Sequence, residues 1–148
     1  DISGNKDDYA YGMEIDTQNN IYLSGHSKYQ DYNNKDDIIL VKYDSNGDLD
    51  TNFGPNNNGI VITDISGNNY DYAYGISIDT QNNIYLSGYS DGQDSNNNSD
   101  IILVKYNPDG TLNYDFGIIN EDNNNNNNNK TWRWLFNNMT GCRYKIKC

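Results

Sequence analysis

The sequence predicts an all-β chain of two four-stranded antiparallel sheets followed by a poorly ordered C-terminal tail. Residues 1–54 align without a gap on residues 64–117 at an offset of 63, and 37 of the 54 paired positions are identical. A self-similar period of this length marks an array of supersecondary units. Each copy holds short β-branched and aromatic runs separated by Asn, Asp and Gly, the residues that favour turns. No apolar stripe with the 3.6-residue helical period survives for two turns, so a helix would have no face to bury.

The elements follow in order. The first run is Tyr9–Ile15, repeated as Tyr72–Ile78, in which Tyr11, Met13 and Ile15 alternate with Ala10, Gly12 and Glu14 as a strand's two-residue period requires. The turn Asp16–Asn20, whose Asp and Asn side chains can bond the local backbone, leads into Ile21–Gly25, repeated as Ile84–Gly88. The third run, Ile38–Tyr43 or Ile101–Tyr106, is apolar at nearly every position, which a strand sustains when both its faces are covered. The fourth, Gly59–Ile65, is again β-branched. Four antiparallel strands in one 63-residue period, with an inner strand covered on both sides, describe a propeller-type blade better than half of a sandwich.

The chain therefore divides into blade one at residues 1–66, blade two at 67–119, an Asn-rich linker at 120–130 and a basic tail at 131–148. Residues 1–5 read as the tail of a preceding rim strand. Blade two has its rim strand truncated or missing, because FGPNNNGIVITDIS in the first copy is replaced by FGIINEDNNNNNNN in the second.

The run YG-apolar-x-I-D-x-x-N-N-I-Y-L-S-G followed by IILVKY-x-x-x-G-x-L-x-x-x-FG resembles the β-propeller repeats of bacterial and cell-surface proteins. The similarity is to the delta-60 and seven-bladed β-propeller repeat types and, more distantly, to NHL repeats. It spans residues 1–117 and implies that Tyr9–Ile15 lines the channel and Gly59–Ile65 forms the rim. It implies a fold far more than a chemistry. Propellers close with roughly four to eight blades, so this incomplete β-propeller is expected either to belong to a longer array or to complete a ring with identical chains. Either way, an isolated pair of blades presents open edges and an apolar face to neighbours.

Composition narrows the partners. Residues 1–117 hold 19 acids against 5 bases, which disfavours nucleic acid and anionic lipid, whereas residues 130–148 hold five bases and no acid. There is no run of 18 apolar residues to span a bilayer. A hydrophobic content of 34% is low for a core of this size, and fourteen Tyr supply amphipathic rings in compensation. The chain opens on Asp without a signal-peptide pattern, which fits a mature or excised product. Asn123–Asn129 reads as a flexible tract from an AT-rich coding sequence.

Each candidate for chemistry has a structural reading beside it. Asp44, Asn46, Asp48 and Asp50 place oxygens at alternate positions, as calcium loops do, but the glycine falls at the fourth place and Pro55 stands where a bidentate Glu belongs. A Gly-containing turn explains the same residues. Asp16 with Asp79, and Asp37 with Asp100, recur once per copy at strand ends, as hairpin caps do. His26, matched by Tyr89, reads as an exposed strand-end residue with no nucleophile or metal partner to serve. Cys142 and Cys148 could close a small loop in an oxidising compartment. Sequons at Asn97, Asn129 and Asn138 are what chance yields in a chain with 29 Asn.

With no catalytic residue and no cofactor indicated, the expected function is a non-catalytic repeat module, extracellular or at the cell surface. Its loops would meet a protein or glycan partner. The motivation is that the segments 28–36 and 44–52 differ from 91–99 and 107–115 while the strands are nearly invariant. One alternative is a structural protein polymerising through blade edges. Another is an oligomeric lectin stacking sugars on Tyr29, Tyr32 or Tyr89.

Overall fold

The computed structural model describes residues 2, 6–28, 35–67, 69–91 and 98–116, and among these every regular element is a strand. The first sheet is β1 (Asp8–Ile15), β2 (Ile21–Lys28), β3 (Asp36–Tyr43) and β4 (Ile60–Thr63), antiparallel and in chain order. The second is β5 (Asp71–Ile78), β6 (Ile84–Asp91) and β7 (Ser99–Tyr106), again in chain order. It has three strands among the described residues. The stretch after Phe116 where a fourth was sought, the linker, the basic tail, both cysteines, the three sequon asparagines, Tyr29 and Tyr32 lie outside those residues.

The turns are built as their side chains dictate. Asp16 Oδ1 accepts the backbone N–H groups of Gln18 (2.8 Å) and Asn20 (2.9 Å), and Asn19 takes the left-handed conformation at φ 64°. Asp79 repeats this on Gln81 and Asn83 at 2.9 Å each, with Asn82 at φ 63°. The strands run further than the apolar runs suggest: β2 continues through His26, Ser27 and Lys28, paired with Ile38, Asp37 and Asp36.

One sequence expectation fails in β1. Tyr11, Met13 and Ile15 do not share a simple alternation, because a bulge between Ala10 and Gly12 inserts Tyr11 as an extra residue, and β5 has the same bulge between Ala73 and Gly75. The cause lies opposite. A Cβ on Gly25 would overlap the Tyr9 carbonyl, and one on Gly88 the Tyr72 carbonyl, so only glycine lets the inner strand lie this close.

The two sheets pack face to face. Tyr22, Ile38, Leu40 and Val61 on one face of the first meet Ala73, Ile84, Leu86, Ile102, Val104 and Tyr106 on one face of the second. β5 crosses β1, β2 and β3 to make this joint. Phe53 plugs it, its ring lying where a Cβ on Gly110 would come within 2.7 Å, while Gly54 N–H donates to the Asp109 carbonyl at 2.8 Å. The hydroxyls of Thr63 and Tyr106 meet at 2.7 Å inside it. The third strand is covered on both faces in the first sheet. In the second it is covered on one face, and Ile101 and Leu103 of β7 stand 68% and 37% exposed on the other.

Candidate functional site

The bulges gather the inner-strand tyrosines into a continuous aromatic row. With Tyr11 inserted, its ring stacks on Tyr9 at 6.4 Å and 9°, and Tyr72 and Tyr74 stack the same way at 6.4 Å and 20°. His26 on β2 fills the space between the blades, 4.9 Å from Tyr9, 5.5 Å from Tyr11 and edge-on to Tyr72 at 4.5 Å. Tyr11 meets Tyr74 across the joint at 4.9 Å, and Tyr89 extends the row at 4.9 Å from Tyr72. Tyr9, Tyr11 and Tyr74 keep an exposed face. At one end the Lys35 ammonium sits 4.1 Å over the Tyr70 ring.

His26 is thus not the exposed residue expected of a strand end. It is 5% exposed, because the bulged β1 and the incoming Tyr72 close over it. Asp36, also buried, accepts the Tyr72 hydroxyl at 3.1 Å and lies 3.6 Å from His26 Nε2. Burial lowers the His26 pKa, with the Asp36 charge opposing and Lys28 assisting, so the imidazole is neutral at pH 7. Burial and then the Asp36 charge push the Tyr72 hydroxyl up, and desolvation followed by contact with Tyr74 takes Tyr89 to about 12. The row is not a single plane: the Tyr11 and Tyr74 rings tilt by 43° where it crosses from one blade to the other.

The predicted carboxylates serve the turns. Burial would raise the Asp16 pKa, but hydrogen bonds from Asn20, Gln18 and Tyr22 outweigh it; at Asp79 the Asn83 side chain leads a similar set, and both carboxyls titrate below the usual range. Of the four calcium candidates, Asp44 Oδ1 accepts the N–H of Asn46 (2.9 Å) and of Asp48 (3.0 Å), and Asp50 pairs with Lys42 at 2.9 Å. A cation bound there would have to draw these oxygens away from those donors.

Asp37 behaves differently. It comes together with Asp64 and Asp71, ligand atoms within 4.8 Å of one another, although the three lie on β3, after β4 and on β5. Asp71 is fully buried, and its Oδ2 accepts the N–H of Ile65 (2.7 Å) and Ser66 (3.1 Å). Burial pushes it up to about 6, with Ser90 and these donors opposing. Asp37 and Asp64 also border a pocket of about 510 Å³ lined by Ile2, Pro55, Asn58, Ile60 and Ile62 on the outer side of the first sheet.

Residues 19–53 and 82–116 match the family model described as a domain of unknown function (DUF5122) beta-propeller. Both segments are β-propeller repeats. The match reaches the β-propeller repeat class and not the delta-60 subtype. Each matched segment runs from the turn before the second strand of a blade to its Phe, so it includes His26, Asp36 and Tyr89 but leaves out the tyrosines of β1 and β5. No curated protein matches the chain.

Proposed function

We propose that this β-propeller chain is a non-catalytic binding module, displayed outside the cell, that takes a glycan on the aromatic row of its inner strands. The observation carrying this reading is the unbroken line of rings from Tyr9 through Tyr11 and Tyr74 to Tyr89, contributed by both blades and open to solvent at Tyr9, Tyr11 and Tyr74. Flat neutral rings with wet hydroxyls suit the apolar faces and polar rims of sugar rings. The ionisable pair His26 and Asp36 lies beneath the rings and holds them in place, a positioning role. Display outside the cell fits the repeat family, and no helix among the described residues is long and apolar enough to cross a membrane.

Titrating the full chain with a panel of neutral oligosaccharides, followed by the tyrosine ring signals in NMR, tests the reading. At least one saccharide should shift the Tyr11 and Tyr74 rings, and Tyr11→Ala with Tyr74→Ala should abolish binding while Tyr114→Ala retains it. Saccharides that bind the double variant as well as the parent would overturn it. Binding of peptides but no sugar would reassign the row to a protein partner.

A further inference from the structure

Three carboxylates from separate parts of the chain converge beside the joint, and the protein's own donors do not use them up. Asp37 on β3, Asp64 after β4 and Asp71 on β5 each bring an oxygen within 4.8 Å of the other two. Asp37 and Asp71 are buried, whereas Asp64 is exposed and opens the group to solvent. Like charges this close repel one another. Burial first, and the Asp64 charge after it, raise the Asp71 pKa.

The first copy shows how the protein satisfies such a carboxylate by itself. Asp8, the counterpart of Asp71, accepts the Ile2 N–H on Oδ2 (2.7 Å) and the Ser27 hydroxyl on Oδ1 (2.5 Å). Asp71 repeats the first half, its Oδ2 accepting the Ile65 N–H at 2.7 Å. The second half is missing. Asp71 Oδ1 is buried with no hydrogen-bond partner; Ser90, the counterpart of Ser27, lowers the Asp71 pKa but leaves this oxygen without such a bond. A buried carboxylate oxygen that meets no donor is costly, and an electropositive occupant removes the cost. Asp64 commits Oδ1 to the Gly67 N–H (2.6 Å), and its Oδ2 stays outside that bond. Asp37 and Asp64 also border the pocket of about 510 Å³, whose wall carries Asn56 and Asn58, so the group has a polar route to water.

We propose that Asp37, Asp64 and Asp71 bind a hard divalent cation of the calcium class, which ties the third strand of the first blade to the first strand of the second. The inference does not rest on the glycan reading. An all-oxygen, all-carboxylate set suits a hard cation and not a soft one. Opposite ligands of a calcium ion stand about 5 Å apart, so oxygens gathered within 4.8 Å fit around one. Calcium takes roughly six to eight oxygens; the three carboxylates supply about three to six, as each binds through one oxygen or two, and water from the pocket supplies the rest. The ion would turn a repulsive contact between the two sheets into an attractive one.

Thermal melting of the full chain, stripped with EDTA and titrated with calcium at constant ionic strength, tests this alongside competition with a chromophoric calcium chelator. Calcium should raise the melting temperature and saturate below about 10 mM, which lies above the range of the weakest extracellular calcium modules. Asp64→Asn keeps an acceptor for the Gly67 N–H at an exposed position and removes one of the repelling charges. It should therefore melt at or above the parent in EDTA, yet bind calcium at least tenfold more weakly. Asp37→Asn should weaken calcium by a similar factor, while Asp44→Asn with Asp48→Asn should retain the full response. The inference is overturned by a parent that neither binds calcium nor melts higher in it, or by an Asp64→Asn affinity equal to the parent's. Loss of the response in the Asp44 and Asp48 variant, or an equal response to magnesium at the same concentration, overturns it as well.

Discussion

Leu40 and Leu103 hold the same place in the repeat and the same place on a third strand, yet one is fully covered and the other is 37% exposed. The comparison separates two causes that sequence identity merges. Local conformation belongs to the repeat: both copies make the Asp turn, the bulge and the same strand pairings. Burial of this face depends on position: Leu40 lies against the second blade, whereas Leu103 faces away from the first.

Substitutions at matched positions sharpen the comparison. The largest difference is expected for Leu40→Ala against Leu103→Ala: about 4 kcal/mol of unfolding free energy in the first case and below about 1 in the second, measured by denaturant titration. Equal losses would mean that the outer face of the second blade is covered after all. Gly25→Ala and Gly88→Ala should behave alike, each costing about 3 kcal/mol, since the clash with the facing carbonyl lies within one blade. A large inequality between them would place the bulge under the control of the joint.

Asp71 gives a pH-dependent contrast. Its folded pKa of about 6 lies above the ordinary 3.8, so its stability contribution is full below pH 3.8 and is lost as pH rises through 6. Asp71→Asn should remove that fall, about 2 kcal/mol between the two ends after allowing for solvent screening. Reading the difference between parent and variant isolates Asp71 from Asp16, Asp50 and Asp79, whose lowered values give the opposite slope at more acid pH. The smallest effects are expected where His26 of the first copy is matched by Tyr89 of the second. His26→Tyr overfills a closed site and should cost about 1 kcal/mol, whereas Tyr89→His, with no blade over it, should stay within about 0.5 by thermal melting.

Much of the fold was legible because its causes are local. The Asp-Thr-Gln-Asn-Asn turns, the β-branched runs and the 63-residue offset each report on neighbouring residues, and the strands stand where those runs fall. The site was less legible because it depends on a neighbour. Nothing beside His26 in the chain announces that Tyr72, 46 positions later, will cover it. The carboxylates Asp37, Asp64 and Asp71 likewise meet through the packing of sheets. Tyr89 was singled out and does lie in the aromatic row. The bulge had a signal: Tyr-Ala-Tyr-Gly in both copies puts two rings one residue apart before a glycine, and Gly25 and Gly88 face them with no side chain.

The mating of unlike faces also bears on how such a gene can grow. Each unit brings the surface it needs and the surface its successor needs, so an in-frame tandem duplication of 63 codons inserts a finished part. Replication slippage then lengthens the molecule without a new packing problem to solve. Selection can tune the number of units separately from what each one displays.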